Sequence, residues 1–377
     1  MSKQKVFICD NYISVLVSLS VFKQAKRIFI FCTKSFNNEI SKLKNLHQMN
    51  CTIFIFSDFT PNPRLDNILK GILIFKEFNP DLVIAVGGGS CIDFAKIINF
   101  LSVQKDEYID IIRKNINELT IPTKLIAIPT TAGSGSESTK FATFYINYLK
   151  YSLEHQFILP SYVILDCNLT LSMDSYLTAV SGMDALSQAI ESYWSVNSNR
   201  QSKIYATKAM KLILSNLVNS VRTSSIDSRS NMLIAANLAG RAINITKTTA
   251  PHAFSYSLTS HFGVPHGHAV AIFLPIFFVI NSNWKDFELN AMMNKRTIKN
   301  SIKHLCRIMG CQNAIEASLK IKILMRQINL CDNLKELNID ITELKDIIKL
   351  EVNHERLANN PVVISQQIID DIFNYKY

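Results

Sequence analysis

The sequence has no long uninterrupted apolar run, only two tryptophans, and eight cysteines without regular spacing among 377 residues. Its longest apolar run, residues 269–280, contains Pro275 and is shorter than the roughly 20 residues that a membrane helix needs. We therefore expect a buried core segment there, and no membrane partner. The cysteines include no Cys-x-x-Cys pair, and residues 12–22 lack a signal-peptide cleavage site. These absences predict reduced thiols in a cytoplasmic protein.

Charged residues are also scarce, at 19% of the chain against 48% apolar residues, which is typical of a folded protein with a sizeable core. Forty Lys and Arg exceed thirty Asp and Glu, giving a net charge of +10. The cations are interleaved with acids and form no dense basic stripe, so nucleic acid is not expected as a partner. A small anionic substrate or cofactor is favoured instead.

The first 170 residues alternate short apolar runs with helical patterns. The runs at 27–32, 51–56, 82–86 and 125–128 predict buried strands, and residues 66–78 and 91–101 predict helices between them. Such alternation favours a mostly parallel sheet covered by helices on both faces. Ligands of these sheets bind beyond the carboxyl ends of the strands.

The second half has the pattern of a helical domain. Long helices are predicted at 177–194, 201–221, 230–244 and 269–280, with few strand signals between them. We therefore predict an α/β domain over residues 1–170 and an all-helical domain over residues 171–377.

Two loops at strand ends have the composition of a nucleotide site. The strand at 82–86 leads into Gly87, Gly88, Gly89 and Ser90, with Ser90 expected to cap the following helix and Asp93 to complete a capping box. Glycines permit close approach of a phosphate, and a helix N-terminus attracts it. The spacing differs from G-x-G-x-x-G, so a structural turn is the alternative. The second loop, residues 129–137, is rich in glycine and hydroxyl groups, which suits phosphate and ribose.

A metal site is indicated in the second half. Asp184 and Gln188 are four residues apart on a predicted helix and share one face. Downstream, His252, His261, His266 and His268 fall within a short stretch. One carboxylate and two imidazoles make a sound ligand set for a divalent transition metal, which favours Asp184, His252 and His266.

These motifs, in this order, resemble the iron-containing (group III) alcohol dehydrogenases. The resemblance is carried by Gly87–Ser90 with Asp93 and Lys96, by residues 129–137, by 182–186, and by His252 followed by His266-Gly267. It implies a nucleotide-binding α/β domain, a helical metal-binding domain of the dehydroquinate synthase-like architecture, and a homodimer as the common assembly. It also implies Fe²⁺, or Zn²⁺, held by Asp184, position 188, His252 and His266. The implied NAD or NADP contacts are Gly87, Gly88, Gly89, Ser90, Asp93, Thr130, Thr131, Ser134 and Lys150.

Three residues depart from the pattern of that family. Gln188 stands where an imidazole ligand is usual, and an amide oxygen is a weaker, uncharged ligand. Tyr256 stands where many relatives have a histidine near the nicotinamide, so Tyr256, His268 or water is expected to supply the proton. Thr33 and Lys34 follow the second strand where NAD-preferring relatives tend to carry an aspartate, which makes NADP(H) acceptable.

Further similarity points to the phosphonoacetaldehyde reductase branch, which implies reduction of phosphonoacetaldehyde to 2-hydroxyethylphosphonate. Arg241 and Lys247 lie just upstream of His252 and are candidates for binding the phosphonate. The structural alternative is that Lys247 only serves the C-terminus of its helix. Reduction of a neutral short-chain aldehyde, a metal-dependent lyase or cyclase, and a non-catalytic nucleotide-binding protein are the other functions that the sequence leaves open.

Overall fold

The computed structural model describes residues 4–33, 36, 51–58, 63–105, 119–146 and 149–374, excluding the side chains of 149 and 150. The chain forms two compact units. Unit 1 comprises residues 1–131 and 136–171, and unit 2 comprises residues 132–135 and 172–377. The sequence predicted a boundary between residues 170 and 171. In the structure the boundary lies between residues 171 and 172, and the short segment 132–135 also belongs to unit 2.

Unit 1 is built on a six-stranded, all-parallel sheet in the order β1-β8-β5-β4-β2-β3. The strands are β1 Lys5–Cys9, β2 Arg27–Cys32, β3 Thr52–Phe56, β4 Leu82–Gly87, β5 Leu125–Pro129 and β8 Tyr162–Asp166. A separate antiparallel hairpin pairs β6, Phe141–Ile146, with β7, Leu149–Glu154. The four predicted strands occur within one residue of their predicted bounds, whereas β1, β8 and the hairpin were not predicted.

Helices cover both faces of this sheet because successive strand residues point to opposite sides. The helices are α1 Tyr12–Ser18, α2 Ser20–Gln24, α3 Leu65–Phe78 and α4 Gly89–Leu101. Phe29 and Phe31 of β2 join the core beneath α3 and α4, and Ile28 and Ile30 join the core beneath α1 and α2. The predicted two-sided α/β arrangement is therefore confirmed.

The described part of unit 2 is helical. Its helices are α5 Ser175–Trp194, α6 Arg200–Arg222, α7 Ile226–Thr246, α8 Ala250–Phe262, α9 His266–Ser282, α10 Lys295–Ile308, α11 Ala314–Gln327, α12 Ile341–Glu351, α13 His354–Leu357 and α14 Gln366–Phe373. The four long predicted helices extend one to four residues beyond their predicted bounds at most ends. The predicted fold class, an α/β domain followed by a helical one, is confirmed.

The apolar run at 269–280 lies inside α9, with Pro275 within the helix. Nearly all of its side chains are buried, as expected for a core segment. No helix in the described ranges combines the length and hydropathy required to cross a membrane. All eight cysteines are free thiols in the structure.

Candidate nucleotide and metal sites

Three loops of unit 1 converge because β5, β4 and β2 are neighbours in a parallel sheet, so their carboxyl ends lie together. The Thr130 amide donates a hydrogen bond to the Gly87 carbonyl over 3.0 Å. A Cβ atom on Gly87 would lie 3.2 Å from the Thr33 methyl carbon, and one on Gly88 would lie 3.3 Å from that of Thr131. Thr33, the glycines, Thr130 and Thr131 therefore form one continuous edge, as the nucleotide prediction requires.

The first turn of α4 has no side-chain cap among the described residues. The helix begins at Gly89 with Gly88 as its N-cap, so the prediction that Ser90 caps it is wrong. Ser90 lies one residue inside the helix because the glycine preceding Gly89 already has the extended backbone that a cap requires. A helix N-terminus whose N-cap residue has no side chain lets an anion approach the backbone closely, which suits a pyrophosphate.

Asp93 and Lys96 belong to a buried polar cluster instead of a capping box. The Asp93 carboxylate accepts hydrogen bonds from the Thr143 amide at 2.9 Å and the Thr143 hydroxyl at 3.0 Å, and also from the Ser136 hydroxyl. Lys96 Nζ lies 3.9 Å from Asp93 and donates to the Thr139 hydroxyl at 3.0 Å and to the Ser136 carbonyl. Burial lowers the pKa of Lys96 to about 8, against the opposing effect of Asp93 and Glu137. This cluster ties α4 to the segment that follows β5.

Two predicted cofactor contacts cannot be placed. Lys34 lies outside the described residues. Lys150 lies in β7, paired with Tyr145, but its side chain is outside the described part.

Ser134, also predicted as a cofactor contact, lies in the segment 132–135 that belongs to unit 2. Its carbonyl accepts a hydrogen bond from Gln188 Nε2 over 3.2 Å. The flanking glycines are required by close packing: a Cβ on Gly133 would lie 2.9 Å from the Ser181 Cα, and one on Gly135 would lie 2.6 Å from the Gly240 Cα. Gly135 also has a φ of +61°, which disfavours other residues.

The predicted metal ligands of unit 2 come together. Asp184 lies on α5, His252 in the first turn of α8, and His266 is the first residue of α9. One ligand atom from each of the three lies within 4.8 Å of the others. His252 Nε2 is 3.3 Å from Asp184 Oδ1, and the centroids of the two imidazole rings are 5.3 Å apart.

A glycine sets how closely α9 approaches α5. A Cβ on Gly267 would lie 2.1 Å from the Val180 carbonyl oxygen and 3.0 Å from Asp184 Cβ. Only a glycine fits without moving the helix, and His266 is the residue immediately before it. The contact between Gly267 and α5 therefore places the His266 ring beside Asp184.

Gln188 lies one turn after Asp184 on α5. Only its amide nitrogen can donate to the Ser134 carbonyl, so that hydrogen bond fixes which way the amide points. Its Oε1 atom is buried and has no hydrogen-bond partner among the described residues, and the same is true of Asp184 Oδ1. Buried acceptors without donors are costly unless another partner satisfies them, and a cation would satisfy both. The residues present thus fit a divalent metal.

Glu191 was not predicted as a site residue. It lies three residues after Gln188 on the same face of α5 and is fully buried. Its Oε1 contacts His252 Nδ1, and its Oε2 accepts hydrogen bonds from the amide and the hydroxyl of Thr249. The signal was available in the spacing of residues 184, 188 and 191, which are four and then three residues apart.

The charges of the site shift its pKa values strongly. Burial alone would lower the pKa of His252, but the carboxylates of Glu191 and Asp184 outweigh it and raise the pKa to about 10. For Asp184, burial raises the pKa, whereas the close contact with His252 and the charge of His266 bring it below its usual value. The acid therefore stays ionised, as a metal ligand must.

Comparison with known proteins agrees with this geometry. The family model of iron-containing alcohol dehydrogenase matches residues 5–167, and that of the C-terminal part of the same family matches residues 178–377. The chain belongs to the iron-containing alcohol dehydrogenase family.

Individual relatives within this family differ in length and specificity. The chain is 32% identical to aldehyde-alcohol dehydrogenase 2 of Entamoeba histolytica over 72% of its own length, but spans only 33% of that protein. It is 33% identical to 1-propanol dehydrogenase PduQ of Citrobacter freundii, covering 71% of this chain and 70% of that one. The crystal structure of sulfoacetaldehyde reductase from Bifidobacterium kashiwanohense in complex with NAD⁺ has a TM-score of 0.84 at 26% identity, covering 99% and 96% of the two chains.

The two predicted proton donors of this family member have different surroundings. Tyr256 lies on α8, one turn after His252, with its ring centroid 5.8 Å from that of His266. The Nε2 atom of buried His268 is 2.8 Å from the Cys331 carbonyl, and its Nδ1 atom has no hydrogen-bond partner among the described residues. Burial lowers the pKa of His268 despite that hydrogen bond. In the neutral ring, the one N–H of His268 is thus engaged by the Cys331 carbonyl.

The two cations predicted to bind a phosphonate both have partners. Lys247 Nζ lies 2.6 Å from Glu355 Oε1, and both side chains are partly exposed. Lys247 follows the last residue of α7 and has φ +59° and ψ −178°. Residues other than glycine rarely adopt this backbone conformation. The Arg241 guanidinium lies 5.7 Å from the Tyr205 ring centroid on α6.

Proposed function

We propose that this member of the family is a metal-dependent reductase that uses NAD(P)H to convert a small aldehyde to an alcohol. The observation that carries the proposal is the group of Asp184, His252 and His266, whose ligand atoms lie within 4.8 Å of one another beside the unpaired oxygen of Gln188. Because the chain belongs to the iron-containing alcohol dehydrogenase family, we expect a metal held by these residues to serve the interconversion of an alcohol and an aldehyde.

Asp184, Gln188, His252 and His266 would hold the ion, which we propose to be Fe²⁺ or, given two imidazoles and a carboxylate, Zn²⁺. When bound, a divalent metal supplies Lewis acidity that polarises a carbonyl oxygen. Tyr256 would supply the proton to the product oxygen, since its ring lies against His266. The first turn of α4 and the Thr130–Thr131 loop would bind the dinucleotide phosphates.

The test uses metal-reconstituted protein and follows nicotinamide absorbance. Asp184→Ala and His266→Ala should each abolish aldehyde reduction while leaving NAD(P)H binding, measured by fluorescence, unchanged. His261→Ala is the matched control, because His261 pairs with Glu351 on the surface. Retained turnover in both site variants would reject the assignment. Binding of metal and nucleotide without any net redox change would favour the lyase alternative.

We further propose that the substrate is an anionic aldehyde, phosphonoacetaldehyde. The net charge of +10 and the fold shared with a protein named sulfoacetaldehyde reductase support an anion. Lys247 would bind it by exchanging Glu355, a half-exposed partner, for the phosphonate. A neutral aldehyde is the second candidate, favoured by the pairing of Lys247 with Glu355 and by the relative named 1-propanol dehydrogenase.

Comparing kcat/KM for phosphonoacetaldehyde and propanal separates the two substrates. On the anionic hypothesis phosphonoacetaldehyde is preferred, and Lys247→Gln raises its KM while leaving propanal unaffected. Faster turnover of propanal, unchanged in Lys247→Gln, would retain the reductase and discard the anionic substrate.

For the cofactor, we propose that NADPH is accepted at least as well as NADH. Thr33 follows β2 at the glycine-rich edge and brings no carboxylate to repel a 2′-phosphate. A strong preference for NADH in KM would overturn this proposal.

A further inference from the structure

The two oxygens of the Glu191 carboxylate have different partners. Oε2 lies 2.7 Å from the Thr249 amide nitrogen and 3.0 Å from the Thr249 hydroxyl. The hydroxyl oxygen itself accepts a hydrogen bond from Trp194 Nε1 at 2.9 Å, so its own proton points to Glu191. Both donors are thus fixed, and Oε2 must accept from both.

The other carboxylate oxygen faces His252. Oε1 contacts Nδ1 of the ring, while Nε2 of the same ring points toward Asp184 Oδ1 at 3.3 Å. An acceptor at Nδ1 requires the proton to lie on Nδ1. The lone pair of the neutral ring is then on Nε2, which is the nitrogen that faces the other metal ligands.

We infer that Glu191 is a positioning residue that holds His252 in the tautomer with Nδ1 protonated, so that Nε2 is the atom presented to the metal. This inference rests on the proposed metal-dependent function. Glu191 touches neither substrate nor cofactor in this role. Carboxylate–histidine–metal arrangements of this kind fix both the orientation of the ring and its basicity as a ligand.

Replacement of Glu191 by glutamine tests the direction of the hydrogen bonds. The Thr249 amide and hydroxyl both donate, so the glutamine oxygen must occupy the position of Oε2. The glutamine NH₂ group then faces His252 Nδ1, which has to become an acceptor. The proton moves to Nε2, and the ring can no longer ligate a metal through that atom without rotating.

Affinity for Zn²⁺ and Co²⁺ should be measured by chelator competition, with the visible spectrum of the Co²⁺ protein as a second readout. We expect Glu191→Gln to weaken binding by about 10- to 100-fold and to alter the Co²⁺ absorption bands. The matched control is Glu351→Gln, which removes a carboxylate paired with a histidine, His261, over 2.8 Å on the surface. That variant should bind both ions as the wild type does.

A measurement on the wild-type chain covers the case in which the buried substitution prevents folding. Long-range proton–nitrogen NMR of Zn²⁺-loaded protein labelled with ¹⁵N-histidine should show His252 protonated on Nδ1 and bound through Nε2. The signal is assigned by its loss in His252→Gln. Binding through Nδ1, or a Glu191→Gln variant with wild-type affinity and spectrum, would overturn the inference. A wild-type chain that takes up neither ion would instead refute the proposed function.

Discussion

Replacing Gly267 with alanine is a direct test of how the metal site is built. The new Cβ would lie 2.1 Å from the Val180 carbonyl oxygen, so α9 and α5 must separate by about 1.3 Å to reach an ordinary contact distance of about 3.4 Å. Overpacking of this kind costs roughly 1–3 kcal/mol of stability. Because His266 immediately precedes Gly267, the same shift moves a metal ligand.

We therefore expect two linked effects in Gly267→Ala. The free energy of unfolding, measured in urea, should fall by about 1–3 kcal/mol. A ligand misplaced by about 1 Å should reduce aldehyde turnover on the order of 100-fold, and metal affinity, measured by chelator competition, should fall with it.

The control is Gly263→Ala, which lies three residues before His266 at the end of α8. Gly263 has a φ of +68°, and its added Cβ would meet nothing within 4 Å among the described residues. This variant should lose about 1–2 kcal/mol from backbone strain alone, with metal affinity intact. If Gly267→Ala also kept wild-type metal affinity, the argument that Gly267 positions His266 would be wrong.

Three further predictions concern individual side chains. Gln188→His should tighten Zn²⁺ binding about tenfold, because imidazole is the better ligand and can still donate to the Ser134 carbonyl; unchanged affinity in chelator competition would show that position 188 does not ligate. Lys96 has a pKa of about 8 when folded and 10.5 as its ordinary value, so the unfolded chain binds more protons between these values and stability should rise with pH there. Urea unfolding at several pH values should show a smaller rise of the free energy of unfolding with pH in Lys96→Met than in the wild type. An identical slope in both proteins would contradict the prediction. His252, whose pKa is raised to about 10, carries an extra proton at neutral pH in the metal-free chain, so metal binding should release at least one proton; calorimetric heats that are the same in buffers of different ionisation enthalpy would refute this.

Local sequence signals predicted the elements that a single segment specifies. The strand at 82–86 and the helix after it were found because apolar runs and glycines are local features, and β4 with α4 occupies nearly the predicted residues. His252 and His266 were predicted because they fall within a short stretch, and Asp184 because it shares one face of an apolar predicted helix with Gln188. The strands β1 and β8 were not predicted, since each is short and is defined by its pairing with a distant partner.

Interactions between distant residues account for the rest. Asp93 fitted the spacing of a capping box, but its carboxylate bonds to Thr143, fifty residues away, and α4 is capped by Gly88. Lys247 was predicted to bind a phosphonate or to serve a helix C-terminus, and its pairing with Glu355, 108 residues away, could not be foreseen. Glu191 shared a face with Asp184 and Gln188, but its role depends on Thr249, which the spacing on α5 could not reveal.

The backbone of Lys247 has a consequence for engineering this protein. Its φ of +59° and ψ of −178° cost a side-chain-bearing residue about 1–3 kcal/mol relative to glycine. Random libraries screened for heat resistance would therefore enrich glycine at position 247, and with it molecules that lack the Glu355 contact and any anion-binding ammonium there. Selection for thermal tolerance would favour glycine at position 247, whereas selection for turnover of a charged aldehyde would favour lysine. Stabilised variants should therefore be chosen with position 247 held constant.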